Sequence, residues 1–329
     1  MVFYLMRRGL SLVAVLLVMS FIVFCLQSVI PADPARAIAG PTAPKATVEA
    51  VRQKLGLDDP ILVQYGRFVS RLAQGDLGTS VRTRQPVTAD VLRYLPASLE
   101  LGITAMILGL VLAGGFALLQ STHRRSGTVR LLMLGLGSVP IFLSALLLAY
   151  LVWFRLGWLP AAGRLDARGF SGPTGFNVID GLLAGRPEIS LDALRHLILP
   201  ALALALPIAV AVGRTVTSAL QDVMRQPYIR TARGAGLSET AVVLRHGLRN
   251  AASAPLAMAG LQVALLFGNL LVVERVFAWP GLGLYAEQAF ALSDLPAVLG
   301  VSIVFGTLYI LVSIGVEIAQ SLADRRIVL

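Results

Sequence analysis

Between two long apolar stretches of the chain lies a polar insert, Arg225–Asn250, reading RQPYIRTARGAGLSETAVVLRHGLRN. It carries five arginines (225, 230, 233, 245 and 249) against a single acid, Glu239. Those residue types suit contact with a partner rather than the making and breaking of bonds. Reactive groups are equally scarce elsewhere. A phosphate-gripping loop needs Gly-Lys-[Ser/Thr] after a glycine-spaced run, and neither of the two lysines, Lys45 and Lys54, follows a glycine. His123, His196 and His246 lie far apart and no HExxH occurs, so a helix-borne zinc site of that type is excluded and no metal site is expected. No G-x-S-x-G nucleophile turn is present. An intramembrane protease needs a buried Ser/His or Asp/Asp pair, yet aspartate is missing from the apolar runs apart from Asp294 at the border of the last. The expectation is a chain that is not an enzyme and holds no cofactor of its own.

The elements that must position the insert are membrane helices. The chain is 56% hydrophobic and 14% charged, with a mean hydropathy of +0.77, whereas soluble domains average about 25% charged residues. Its net charge of +10 is scattered among apolar runs without a dense tract, which fits cytoplasmic loops better than nucleic acid. The lone Cys25 excludes an intrachain disulfide and reads as a small packing residue. Six stretches are long and apolar enough to span: Gly9–Ile30, Ala97–Gln120, Val129–Phe154, His196–Ala219, Ala251–Phe277 and Leu295–Leu322. The first follows Arg7 and Arg8 and precedes Ala37-Ile38-Ala39, which imitates a signal peptide. At 22 residues it is too long for a signal core and is read as an uncleaved anchor. Pro140, Pro200, Pro207 and Pro255 are tolerable inside spans because neighbouring helices satisfy the freed backbone groups.

Basic residues mark alternate short links: Arg7 and Arg8; Arg124, Arg125 and Arg130; the insert; and Arg325 with Arg326. The link after the fifth span instead sets Arg275 against Glu274, Glu287 and Asp294. Both termini are therefore placed in the cytoplasm. Pro31–Pro96 holds nine basic residues, but six acids balance them and long loops translocate largely regardless of charge. Within this external segment Thr47–Leu55 reads as an amphipathic helix capped by Thr47, with Val48, Val51 and Leu55 on one face. Ile61–Leu72 reads as a second, carrying Leu62, Tyr65, Phe68, Val69 and Leu72, and Gly75–Gly78 as a turn. Arg155–Arg195, rich in glycine and proline, is expected to cap the outer face.

Ion coupling would need ionisable groups in the membrane. Glu100, Arg214 and Glu317 qualify by position, but each lies near a span end, where snorkelling or pairing is the commoner role. Gln262 and Asn269, seven apart on one face of the fifth span, fit either interhelical hydrogen bonding or a polar strip along a translocation path.

The insert itself divides. A first helical segment is expected over Thr217–Arg233, with Pro227 placed as at a helix start. Gly234 and Gly236 allow a turn, and Ser238 with Glu239 suits the start of a second segment. Ala241, Val242, Leu244 and Leu248 make that segment apolar enough to pack back on the bundle, leaving Arg230–Leu237 as a small basic tip. Taken alone, the arginines obey the positive-inside rule or suit anionic lipid.

At this point the sequence resembles the inner-membrane permeases of binding-protein-dependent ABC importers, specifically the peptide/nickel branch of dipeptide and oligopeptide permease B type. That branch reads Tyr-x-Arg-Thr-Ala-Arg-x-x-Gly-Leu, matched by Tyr228, Arg230, Thr231, Ala232, Arg233, Gly236 and Leu237. The wider family's Glu-Ala-Ala…Gly signature falls on Arg230-Thr231-Ala232…Gly236, with arginine for the glutamate and threonine for the first alanine. Arg245, His246, Leu248, Arg249 and Asn250 match the following Arg-His-x-Leu-Arg-Asn, and the proline expected soon after is Pro255, shifted by one residue. Leu55–Pro60 and Gly75–Ser80 resemble the branch's external region, and Glu274-x-x-Phe277-x-x-Pro280-Gly281-Leu282-Gly283 its motif after the fifth span.

The resemblance implies an all-α, type I ABC importer permease fold of six transmembrane helices in the inner membrane. Its domains would be an anchor (1–30), an external insertion (31–96) and a core (97–329) containing a coupling segment at 225–250. It implies a second homologous permease, two cytoplasmic ATPases that bind the ATP and magnesium, and an external solute-binding protein. Arg230, Thr231, Ala232, Arg233, Gly234, Ala235, Gly236 and Leu237 would then contact an ATPase, with Arg233 as a polar contact and Gly236 as the turn. Rival readings are an ion-coupled carrier working alone and an intramembrane enzyme.

Overall fold

A computed structural model describes residues 2–29, 34–40, 42–122, 126–167 and 169–323. Ile30, His123, Arg124, Arg125, Arg325 and Arg326, which entered the span and orientation readings, lie outside the described residues. The elements are helices throughout: α1 (Val2–Val29), α2 (Pro34–Ala39), α3 (Lys45–Leu55), α4 (Ile61–Ala73), α5 (Val87–Thr122), α6 (Ser126–Ser138), α7 (Ile141–Leu148, continued by a π-helical stretch Ala149–Arg155), α8 (Asn177–Leu183), α9 (Pro187–Met224), α10 (Pro227–Gly234), α11 (Glu239–Ala241, continued as π-helix through Val242–Gly247), α12 (Leu248–Ala251), α13 (Ser253–Val276), α14 (Leu282–Ala291) and α15 (Leu295–Ala323). Among the described residues five helices are long and apolar enough to cross a membrane, and Ile141–Arg155 is a shorter apolar one.

The third expected span is thus not one rod. Pro140 offers no amide proton and disfavours helical geometry in the residue before it, so the helix stops at Ser138 and a new one begins at Ile141. The second and fourth spans are longer than expected. The helix of the second starts at Val87 and contains Pro96. That of the fourth runs from Pro187, seated at its first turn, to Met224. At 38 residues α9 is about 57 Å long, well beyond a hydrocarbon core of about 30 Å. These extensions bring Asp90, Asp192 and Asp222 into helices from which aspartate was expected to be missing.

The chain divides into two compact units. One comprises Ala97–Pro280 with Tyr309–Leu329. Its core is built on α9, whose Leu197, Leu204, Ile208 and Val212 are buried together with Leu101, Leu266, Leu270, Phe277 and Trp279. Helices approach closely where one side is glycine: a Cβ added at Gly109 would lie 2.8 Å from the Ile208 side chain. Outward faces remain apolar, as Ile103, Ile107 and Val111 on α5 illustrate, which is how a lipid-facing surface reads. Tyr150, Trp153, Phe154 and Trp158 are also exposed around the end of the π-helical stretch, a composition typical of the membrane–water interface.

The second unit comprises Val2–Pro96 with Gly281–Leu308. Here α4 docks on α1 through Tyr65, whose hydroxyl donates to the Leu17 carbonyl at 2.7 Å and whose ring meets Phe21 edge-on at 5.0 Å. Ile61, Tyr65, Phe68, Val69 and Leu72 form the packed stripe. Leu62, expected on that face, is exposed, because one residue along a helix is 100° around it. Helix α3 starts two residues before the expected Thr47 cap, behind Pro44 and without a side-chain cap bond. Gly75 and Gly78 both take positive φ, +79° and +86°, and the Gly78 amide donates to Asp76 at 2.8 Å. Two buried aspartates tie the unit together. Asp90 accepts from the Tyr285 hydroxyl at 2.9 Å, and Asp294 accepts from Ser80 Oγ at 2.5 Å while capping α15 through the Ala297 amide. Burial pushes the Tyr285 phenol above its ordinary range.

Candidate functional site

The insert forms a knob at the end of α9. That helix ends at Met224, and Gln226 is extended, as a residue before proline prefers. Pro227 then opens α10 as a separate helix, where a single segment over Thr217–Arg233 was expected. Pro227 would remove one hydrogen bond from a continuous helix, whereas at a first turn its missing donor is harmless. Within α10 only Ile229 is buried, and it anchors the helix; Arg230, Thr231, Arg233 and Gly234 are exposed and Ala232 is partly covered. Ala235, Gly236 and Leu237 are exposed as well.

The turn has a definite hydrogen-bond pattern. Gly236 adopts φ +81°, its amide donates to the Arg233 carbonyl at 3.0 Å, and the Leu237 amide reaches back to the Ala232 carbonyl at 3.4 Å. This is a Schellman ending with glycine in its left-handed position. Gly234, proposed from sequence to share the turn, lies inside α10. Ser238 caps the next segment, accepting from the Ala241 amide at 3.3 Å.

Across the turn Arg233 forks onto Glu239, with Nε donating to Oε1 at 2.6 Å and Nη2 to Oε2 at 3.1 Å. The hydrogen bonds from Arg233 hold the Glu239 carboxyl below its usual range and raise the guanidinium. Val242 and Val243 pack inward, while Leu244, expected to do so, is exposed. The π-helical winding of Val242–Gly247 re-phases the side chains after Val243. Beneath the fork lies a cavity of about 630 Å³, reached by Leu220, Gln221, Met224 and Val243 as well as by Arg233 and Glu239.

On α13 Gln262 is buried and Asn269 partly so. Arg214 is exposed and Glu317 partly covered. Glu100 is enclosed in a polar cluster that sequence spacing did not reveal. Arg164, from the connection before α8, forms an ion pair with Glu100 and donates to the Gly175 carbonyl at 2.8 Å. The other Glu100 oxygen accepts the Val178 amide at 2.9 Å. The Arg164 guanidinium lies 5.4 Å from the ring centre of Trp279, whose Nε1 donates to the Ala97 carbonyl at 3.0 Å. Ser98 Oγ donates to Glu274 at 2.5 Å. Glu100 and Arg164 are 64 residues apart, so only the unusual carboxylate early in an apolar run hinted at a partner.

The description "Binding-protein-dependent transport system inner membrane component" matches residues 105–329, and "Binding-prot-dependent transport system membrane comp, N-term" matches residues 1–102. The chain belongs to this family. It is a transport permease rather than an enzyme, and a multi-pass membrane protein. The permease is 40% identical over 335 residues to the di/tripeptide transport system permease protein DppB of Pseudomonas aeruginosa, covering 99% of each chain. It is 34% identical over 333 residues to the dipeptide transport system permease protein DppB of Alkalihalophilus pseudofirmus, again covering 99% of each. To the glutathione transport system permease protein GsiC of Salmonella paratyphi A it is 36% identical, over 96% of this chain and 95% of the other. In structure the permease resembles a chain of the inward-facing MetNI methionine ABC transporter, with a TM-score of 0.51 at 14% identity over 73% of this chain and 96% of that one. That likeness is one of fold.

Proposed function

We propose that this permease forms half of the translocation pathway of an ATP-driven importer for peptides or a related small solute. A second homologous permease supplies the other half, an external solute-binding protein delivers cargo, and two cytoplasmic ATPases provide the work. The observation that carries the coupling role is the knob Arg230–Leu237: nearly all exposed, anchored by Ile229, and bent by a glycine in left-handed geometry. Family membership and the names of the peptide and glutathione relatives support the transport reading. In this scheme both termini and the knob face the cytoplasm. ATP-driven closure of the ATPase pair moves the knobs, the bundles rock between inward- and outward-open states, and hydrolysis resets them. Gln262 and Asn269 serve as polar points along the path. The test is Gly236→Val in the assembled transporter. Membrane insertion and complex assembly should persist while ATP hydrolysis no longer drives uptake; unchanged coupling would remove the knob from the mechanism.

A further inference from the structure

We propose that His196, Asp166 and Asp192 form a site for a zinc-class divalent cation near the N-terminal end of α9. Asp192 and His196 are four residues apart on that helix and therefore share a face. Asp166 comes from the connection ahead of α8, and ligand atoms of all three residues lie within 4.8 Å of one another. Only 1% of the His196 side chain is exposed, against 87% for Asp166.

The orientation of the ring carries the inference. Nδ1 lies 3.0 Å from the Asp192 carbonyl oxygen and 3.2 Å from the Asp192 carboxylate. Two acceptors on that side place the ring proton on Nδ1. Nε2 then bears a lone pair, and it faces Asp166 Oδ1 at 3.5 Å without making a hydrogen bond. The opposite tautomer only moves the conflict, setting the Nδ1 lone pair against two oxygens. A neutral imidazole here always opposes a lone pair to a carboxylate, and a cation between them relieves that repulsion.

The gap suits a metal ion. Two ligands about 2.1 Å from a tetrahedral zinc stand about 3.4 Å apart, close to the observed separation. An imidazole nitrogen with a carboxylate oxygen is a donor pair that zinc accepts. Asp192 supplies what a ligating histidine usually has on its far nitrogen, an acceptor that fixes tautomer and ring angle. Its Oδ2 also accepts the backbone amide of Asp166 at 2.9 Å. One carboxylate thus orients the ring and seats the loop bearing the second ligand. Water completes the coordination on the exposed Asp166 side. The site is independent of the transport reading.

The test is calorimetric titration of the full-length chain, purified in detergent and stripped with chelator, with Zn²⁺ and with Mg²⁺ as control. The expected result is one saturable zinc per chain that magnesium does not displace. Asp166→Asn should weaken binding about tenfold or more, and Asp166→His, which restores a zinc ligand, should recover it. Because Asp166 is exposed, neither change disturbs packing. Absence of saturable zinc binding, equal affinity in Asp166→Asn, or no recovery in Asp166→His overturns the proposal.

Discussion

At Gly236 nothing lies within 4 Å of where a Cβ would stand, so a replacement there is judged on backbone strain alone. A β-branched residue in left-handed geometry costs on the order of 1–2 kcal/mol, whereas asparagine tolerates it. Gly236→Asn should therefore keep most of the coupling that Gly236→Val loses, measured as solute imported per ATP hydrolysed. The Arg233–Glu239 fork gives a second prediction. A carboxyl whose folded pKa is depressed contributes order that is present above its ordinary pKa and lost as pH falls through the lower value. The fork should hold throughout the neutral range and open only in acid. Glu239→Gln should loosen it at pH 7, seen as faster amide hydrogen exchange at Ala235–Leu237 with little change in overall stability. The sequence displayed Gly236 and Ser238 as turn and cap because their chemistry is local. Read by residue type alone it let Gly234 share that turn, since which glycine ends a helix depends on which amide completes the back-bonding pair. The partnership of Arg233 with Glu239 depends on that turn and was equally hidden.

The helices show where hydropathy stops being informative. It located the apolar runs, but α5 and α9 extend beyond them into turns of mixed polarity, where Val91 and Ile189 are buried while Arg93 and Glu188 are exposed. Pro140 was legible as a proline and was expected to be tolerated; the helix breaks there instead, because Ile141 begins a new first turn. The connection before α8 was legible only as rich in glycine and proline. Its anchor, Arg164 on Glu100, joins segments with no shared periodicity. Side-chain exposures of 14% and 5% make this a buried pair, and removing one partner from such a pair costs about 3–5 kcal/mol. Glu100→Ala should lower the thermal denaturation midpoint of the detergent-solubilised chain markedly. The double replacement Glu100→Leu with Arg164→Met should recover much of that loss, since no charge is left stranded. Equal stability of Glu100→Ala and wild type would mean the pair is solvated.

For the whole molecule, ordered motifs spread along the chain made the family readable, because each marks a turn or cap whose residues are constrained locally. The division into two units was beyond that reading, since Gly281–Leu308 joins residues more than 180 positions earlier. The rival carrier that works alone needs a free acid in the membrane; Glu100 already holds an arginine and a backbone amide, and Glu317 is not free either. The permease reconstituted without ATPases should thus show no uptake under a proton or sodium gradient, and gradient-driven uptake would favour the carrier. The Schellman ending of α10 bears on evolution. With the Ala232 and Arg233 carbonyls engaged by Leu237 and Gly236, the bend of the knob is held by its own backbone rather than by the exposed side chains around it. In the proposed importer, an ATPase that reads the shape of this bend tolerates drift in the surrounding side chains. The two subunits would then diverge at different speeds, provided position 236 keeps a residue that accepts the left-handed bend.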